Sequence, residues 1–464
     1  MKKQQIILAV VMLGIVGFIA FWSLVDCAPF SPCIWSKPKK NPPLPKVILS
    51  FVGPWDSAAD WAGVAEKFQR HKRSAGIDVI VQYRTINDQL NYENIIREMQ
   101  FEGNGPNIYS VFHTWIQRYS GKLKPMPVGT MTLDQYRNTY ASVASDDLVI
   151  GGEVYALPFY IDTPILFYNQ DKFLNEGYLK PPETWDEFKD YVEKLTILED
   201  VEVVLDEDKD NITTTEKKIK IAGATIGGGS NVNRSQDILL LLIMQNNIQD
   251  NFESLVSFNN EGTFTAIKSY TDFTNPEKRF YTWNEDQMYS IDAFSQRKAA
   301  MMINYSHHIK TVKNQTGNTL NFKVAPVPQL DRSFKANYAS YWVPVVPKTA
   351  PCRSAKIGVD CVALSWEFLA FAAQKENVKL YLDSTNKAAA NLELAQEQAN
   401  DFADTRSVSA SQVFTAKSWS RSDNARADEV LVEMIDSIIT KDEDNNESIF
   451  DAMQIVKNRI VQLN

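Results

Sequence analysis

The residues with most chemistry to offer are tryptophans placed just past strand-like runs. Trp55 follows an apolar run over residues 47–52, and His113 and Trp115 follow another over residues 107–112. Tyr341 and Trp342 open a third such run, over residues 341–346. An indole or phenol face packs on C–H groups, while carboxylates and amides accept hydroxyl protons. Together they suit a ligand with both apolar faces and many hydroxyls, such as a sugar. The chain carries ten tryptophans and is 11% aromatic, so the supply is ample. Trp61, Trp185 and Trp366 lie inside helical apolar patterns and are assigned to packing. Trp283, between Phe280-Tyr281 and Asn284, is a loop aromatic.

Bond-breaking chemistry finds less support. No Ser-His-Asp order, glycine-rich phosphate loop or metal-ligand cluster stands out, and the chain has only four histidines. Paired carboxylates could serve a glycosidase, but 57 acidic residues make chance pairs inevitable. A carbohydrate-active enzyme is therefore an alternative, not the expectation, and no cofactor or metal is expected. With 48 basic against 57 acidic side chains and a net charge of -9, no basic patch recommends a nucleic-acid partner.

The elements that must position these residues alternate. After the run over residues 47–52, Ser57 opens a helical pattern with Ala58, Trp61, Val64, Ala65 and Phe68 on one face. A second strand is expected over residues 77–83, a helix over 92–99 and a third strand over 107–112. This order implies a parallel α/β sheet, in which ligands sit beyond the carboxyl ends of the strands. The residues to watch are Gly53-Pro54-Trp55-Asp56 and His113-Thr114-Trp115.

Past residue 150 the pattern changes. Gly151-Gly152-Glu153 makes a turn, and Thr184 with Glu187 has capping-box form before a helix running to about Leu195. Residues 206–210 form an acidic loop between strand-like runs. Asn211 and Lys217 occupy the places a calcium loop reserves for glycine and glutamate, so a solvated hairpin is expected. Helical patterns follow over 237–245 and 290–298. Strand-like runs cover 300–303 and 322–325. A single amphipathic helix is expected over 362–382, and two more over 429–440 and 449–461.

At the N-terminus, Lys2 and Lys3 precede an uncharged run from Ile6 to Val25. Twenty helical residues span about 30 Å, the thickness of a bilayer's hydrocarbon core. An uncleaved transmembrane anchor at residues 1–25 is expected, with the lysines cytoplasmic and the rest outside the cell membrane. A lipoprotein signal ending at Cys27 is the alternative, poorly served by Leu24-Val25-Asp26. The prolines of residues 26–45 make a stiff spacer. In that compartment disulfides are permitted. Cys352 and Cys361 bracket a short loop and are expected to pair, while the state of Cys27 and Cys33 stays open.

Three pieces in order carry a resemblance. They are Gly152-Glu153-Val154-Tyr155-Ala156-Leu157-Pro158, then Ile165 to Phe173 with Tyr168-Asn169-Gln170-Asp171-Lys172 at its centre, then Pro182-Glu183-Thr184-Trp185-Asp186-Glu187-Phe188. Phe294 to Met301, Val324 to Pro328 and Ala363 to Leu369 agree with them. Residues 46–464 resemble the family 1 extracellular solute-binding proteins, the maltose-binding-protein-like receptors of bacterial ABC importers. The departure is Tyr305-Ser306-His307, where the family commonly carries Gly-x-Trp.

The resemblance implies a two-lobed periplasmic-binding-protein fold of type II with crossing hinge strands. Lobe one is expected at 46–160 plus 326–383, and lobe two at 161–325 plus 384–464. It implies a sugar-class ligand in the cleft, delivered to ABC permease subunits and their ATPase. A tethered carbohydrate sensor without transport is the alternative. It adds Tyr160 and Asp162 at the lobe crossing, Tyr305 and His307 on the altered loop, and Trp419 near the C-terminal helices as ligand contacts. With Trp55, His113, Trp115, Tyr341 and Trp342 they complete the expected site.

Overall fold

Alternating buried positions in short β-rich runs build two separate sheets in this α/β chain. The computed structural model describes residues 10–17, 44–204, 213–246, 260–352, 358–419, 423–440 and 445–461. The strands of the two main sheets are β1 (Lys46–Gly53), β2 (Asp78–Thr85), β3 (Ile108–Phe112), β4 (Pro164–Asn169), β5 (Ile197–Val204), β6 (Thr213–Thr225), β7 (Ala299–Tyr305), β8 (Phe322–Pro326) and β9 (Trp342–Val345).

The first sheet has the order β9-β3-β1-β2. β1 runs parallel to both β2 and β3, as the alternation of strands and helices predicts. β9 closes the other edge antiparallel to β3, so the sheet is mixed. The chain reaches that edge from the second sheet, not through a local crossover helix. Val47, Leu49 and Phe51 of β1 are fully buried. The helix Ala58–Ser74 lays Trp61, Val64 and Phe68 onto them at helical spacing. Its start is a capping box in which Asp60 accepts from the Ser57 amide at 2.7 Å.

The second sheet has the order β8-β4-β7-β6-β5, parallel only between β6 and β7. β5 and β6 pair antiparallel as the arms of the expected hairpin. The acidic residues 206–210 lie outside the described residues. Ala299 to Tyr305 are buried throughout, as befits a central strand. At Thr184, the hydroxyl accepts from the Glu187 amide at 3.3 Å. The Glu187 carboxylate reaches back one residue further than a capping box requires, to the Glu183 amide at 2.7 Å.

The two lobes have their own cores, and the passages between them lie side by side. Asp162 bridges to Ser340, Tyr160 to Ala389, and Asn337-Tyr338 to Ala416-Lys417. Ala388, Ala389, Ala390, Leu394 and Ala395 pack in the first core, although the sequence reading carries everything past residue 383 to lobe two. The backbone there pairs with Phe159 and Ile161, which ties it to lobe one. The expected single helix over 362–382 is two helices, Cys361–Ala372 and Lys375–Thr385. Gln374 is extended (ψ 140) and N-caps the second, while the Asn377 side chain caps the first by donating to the Phe371 carbonyl. The apolar pattern runs on because both helices bury side chains in the first core.

Cys352 and Cys361 are joined in a disulfide, with Cα atoms 5.5 Å apart. The chain divides into the units Met1–Pro45 and Lys46–Asn464. In the first, residues 10–17 are helical, and among the described residues no helix is long and apolar enough to cross a membrane. Cys27, Cys33 and most of the uncharged run from Ile6 to Val25 lie outside the described residues.

Candidate functional site

The carboxyl end of β1 delivers Trp55 and Asp56 to the rim of lobe one, as the rule for open α/β sheets requires. A pocket opens there, lined by Trp55, Asp56, Tyr83, Ser110, Tyr160 and Trp342 among others. Trp55 is 51% exposed and so presents a free indole face. Trp342, half-buried, is held edge-on by Tyr92, Phe112 and Trp115 at centroid distances of 5.6, 5.7 and 5.3 Å. Its backbone N–H donates to the Tyr160 hydroxyl at 3.2 Å. Trp115 is half-buried and carries the Arg118 guanidinium 5.7 Å from its ring. Trp55, Tyr160 and Trp342 therefore share one pocket, with Trp115 buttressing Trp342.

The charge in this pocket is an internal pair. Asp56 accepts from the Lys387 ammonium at 2.8 Å, the Tyr381 hydroxyl at 2.9 Å and the Trp61 indole N–H at 3.2 Å. The same ammonium lies 4.0 Å from the Tyr160 ring centroid. Burial by itself would lower the Lys387 pKa. The Tyr160 and Asp56 neighbours outweigh it and raise the value, so the side chain stays cationic. Lys387 reaches this place because Asn386 ends the preceding helix in the left-handed region (φ 55). No sequence signal marks it among the other lysines.

Asp162 sits at the crossing between the lobes. Its carboxylate accepts from the Thr163 amide at 3.0 Å and the Ser306 hydroxyl at 3.1 Å, and the His307 ring nitrogen lies 3.7 Å away. This cluster joins the lobe-one rim to the altered loop of lobe two. The His307 side chain is 56% exposed. Its neighbour His308 has its pKa lowered to about 3 by burial, then by the charges of His307 and Arg234.

Four expected contacts are placed otherwise. His113 and Tyr341 are fully buried and stacked, centroids 4.2 Å apart, and both bond the Asp147 carboxylate, at 2.8 and 2.7 Å. Ser418 donates to the same carboxylate. These side chains tie lobe one to the segment that leads into the C-terminal helices, and offer no face to a ligand. Tyr305 is 2% exposed and donates to Asp237 at 2.8 Å. Trp419 is 3% exposed, packed in the second core. Each sits at an element end, as a ligand plate would, but the neighbouring segments cover it. That covering comes from residues distant in the chain. Sequence reasoning left out Lys387, Ser306, Tyr83 and Ser110 as site residues. Only Asp56 carried a signal, its place after a strand.

Residues 63–407 match the profile described as bacterial extracellular solute-binding protein. Over 102 residues the chain is 30% identical to a maltotriose-binding protein of Pyrococcus abyssi (strain GE5 / Orsay). That match spans 22% of this chain and 21% of the relative's length. Among solved structures, the sugar-binding protein MalE of Xanthomonas citri is 15% identical, with a TM-score of 0.67 over 89% of this chain and 98% of that one. A cyclic α-maltosyl-1,6-maltose binding protein of Arthrobacter globiformis is 14% identical, with a TM-score of 0.67 over 90% and 100%. At these identities the structures establish the shared fold.

Proposed function

This chain belongs to the bacterial extracellular solute-binding protein family, and from that membership we propose that its aromatic cleft captures an oligosaccharide of the maltodextrin class for an ABC importer. It binds rather than catalyses, as its family does. The observation that carries the ligand class is the pocket where Trp55, Tyr160 and Trp342 meet at the strand ends. Aromatic faces there suit sugar C–H faces. Asp162 lies where the two lobes meet, beside Ser306 and His307. A ligand that touched both lobes would favour closure, since only differential contact shifts a conformational equilibrium. The relative from Pyrococcus abyssi, named for maltotriose, makes that sugar the first to try.

The test is a titration of the full-length protein with maltose, maltotriose and maltotetraose, read by calorimetry and melting temperature. Binding at 100-fold over its dissociation constant adds about 2.7 kcal/mol to stability. No shift with any of the three counts against the ligand class.

The proposal extends to location. The uncharged run from Ile6 to Val25 behind Lys2 and Lys3 supports a single-pass tether in the cell membrane. The proline-rich residues 26–45 would hold the lobes outside it, facing permease subunits. The lobes would divide near residues 160, 325 and 383, adjusted for the 388–395 segment. Protease added to intact cells lacking an outer membrane should digest the bulk of the chain, and full protection would overturn the orientation.

A further inference from the structure

Among the polar groups that line the lobe-one pocket are the hydroxyls of Tyr83 and Ser110. Each of the two residues is 8% exposed. The Ser110 carbonyl accepts from Tyr92, but neither the Ser110 nor the Tyr83 hydroxyl bonds any group among the described residues. Two hydroxyls that line one pocket without a bond to the protein are free to bond an external partner.

The backbone is shaped around them. A Cβ at Gly53 would strike the Tyr83 hydroxyl and stand 3.0 Å from Ser110 Oγ. Glycine is thus needed there for the phenol to reach the pocket, and both hydroxyls converge on that point. The pocket as it stands has room for about one water-sized group, enough for a substituent of a sugar and too little for its ring. Asp56 lines the same pocket with its carboxylate already bonded to Trp61, Tyr381 and Lys387. Burial first, and then the Asp56 charge, raise the Tyr83 pKa, so the phenol stays protonated. A second anion beside Asp56 is disfavoured, whereas a neutral hydroxyl can donate to one group and accept from the other.

We propose that Tyr83 and Ser110 form a subsite for one exocyclic hydroxymethyl group of the captured sugar and set its specificity. The inference rests on the saccharide reading of the cleft. A site built to bond a hydroxyl discriminates strongly against the analogue that lacks it.

The experiment titrates the full-length protein with maltose, maltotriose and maltotetraose, and with counterparts whose C6 hydroxyls are replaced by hydrogen. Wild type should prefer the parent sugar by roughly tenfold. Tyr83→Phe and Ser110→Ala should each weaken the parent by roughly fivefold and leave the deoxy affinity unchanged. Melting curves accompany each variant, and Ser110→Ala stands alone should Tyr83→Phe fail to fold. Equal affinity of wild type for parent and deoxy sugars overturns the subsite, as does equal weakening of both sugars by the variants. If wild type binds none of the three parents, the saccharide reading falls and the subsite with it.

Discussion

At the residue scale, exposure separates tryptophans that recognise from those that pack. Trp55 is half in solvent at the pocket rim, so Trp55→Ala should weaken maltotriose binding tenfold or more with little change in melting temperature. Trp419 is buried in the second core, and Trp419→Ala should destabilise the fold by about 3–5 kcal/mol. A binding isotherm beside a melting curve distinguishes the two, and the reverse pattern would refute the assignment. His308 makes a pH prediction. Its folded pKa lies near 3, below the ordinary 6.5, so the neutral form is what the fold stabilises. That contribution is fully present above pH 6.5 and is lost as pH falls toward 3. Stability measured between pH 7 and 4 should fall less steeply in His308→Leu than in wild type, and equal slopes would refute the assignment.

At the element scale, two cross-links hold segments that lie outside the strands of the two main sheets. The Cys352–Cys361 disulfide closes a loop just before the helix Cys361–Ala372. Its reduction should lower stability by about 2–3 kcal/mol, given a separation of 9 residues. Melting with and without reductant reads that difference directly. The Asp56–Lys387 pair ties the end of β1 to the segment after the helix Lys375–Thr385. Lys387→Met would leave Asp56 largely buried beside two neutral donors. A loss of about 2–4 kcal/mol is expected in urea unfolding, and an unchanged midpoint would show the carboxylate finding water instead.

At the scale of the whole molecule, the proposed capture requires two lobes to close without coming apart. The passages between them pair through Asp162–Ser340, Tyr160–Ala389 and Tyr338–Lys417. Asp147 is gripped by His113 and Tyr341 of its own lobe and by Ser418 of the departing segment. Ser418→Ala removes the one bond of this cluster that leaves lobe one. It should alter the opening equilibrium, seen as a changed maltotriose affinity with intact melting. Scattering profiles with and without maltotriose should show compaction on binding, and identical profiles would argue against closure.

How much of this was legible depends on whether the cause was local. The β1 and β3 runs, the helix of Trp61, Val64 and Phe68, and the Ser57 and Thr184 helix starts follow from periodicity and capping, properties of a few neighbouring residues. Trp55 and Asp56 were legible for the same reason, since a strand's end is a local fact. The burial of His113, Tyr341, Tyr305 and Trp419 was not, because what covers them lies far along the chain: Asp147 for the first two, Asp237 for Tyr305 and the second core for Trp419. Nor was the break at Gln374, where two successive helices feed one core and periodicity cannot see the turn. Lys387 and the Tyr83–Ser110 pair acquire meaning only when distant strands bring them to one pocket. Local chemistry set the element types; long-range packing decided which side chains still faced the cleft.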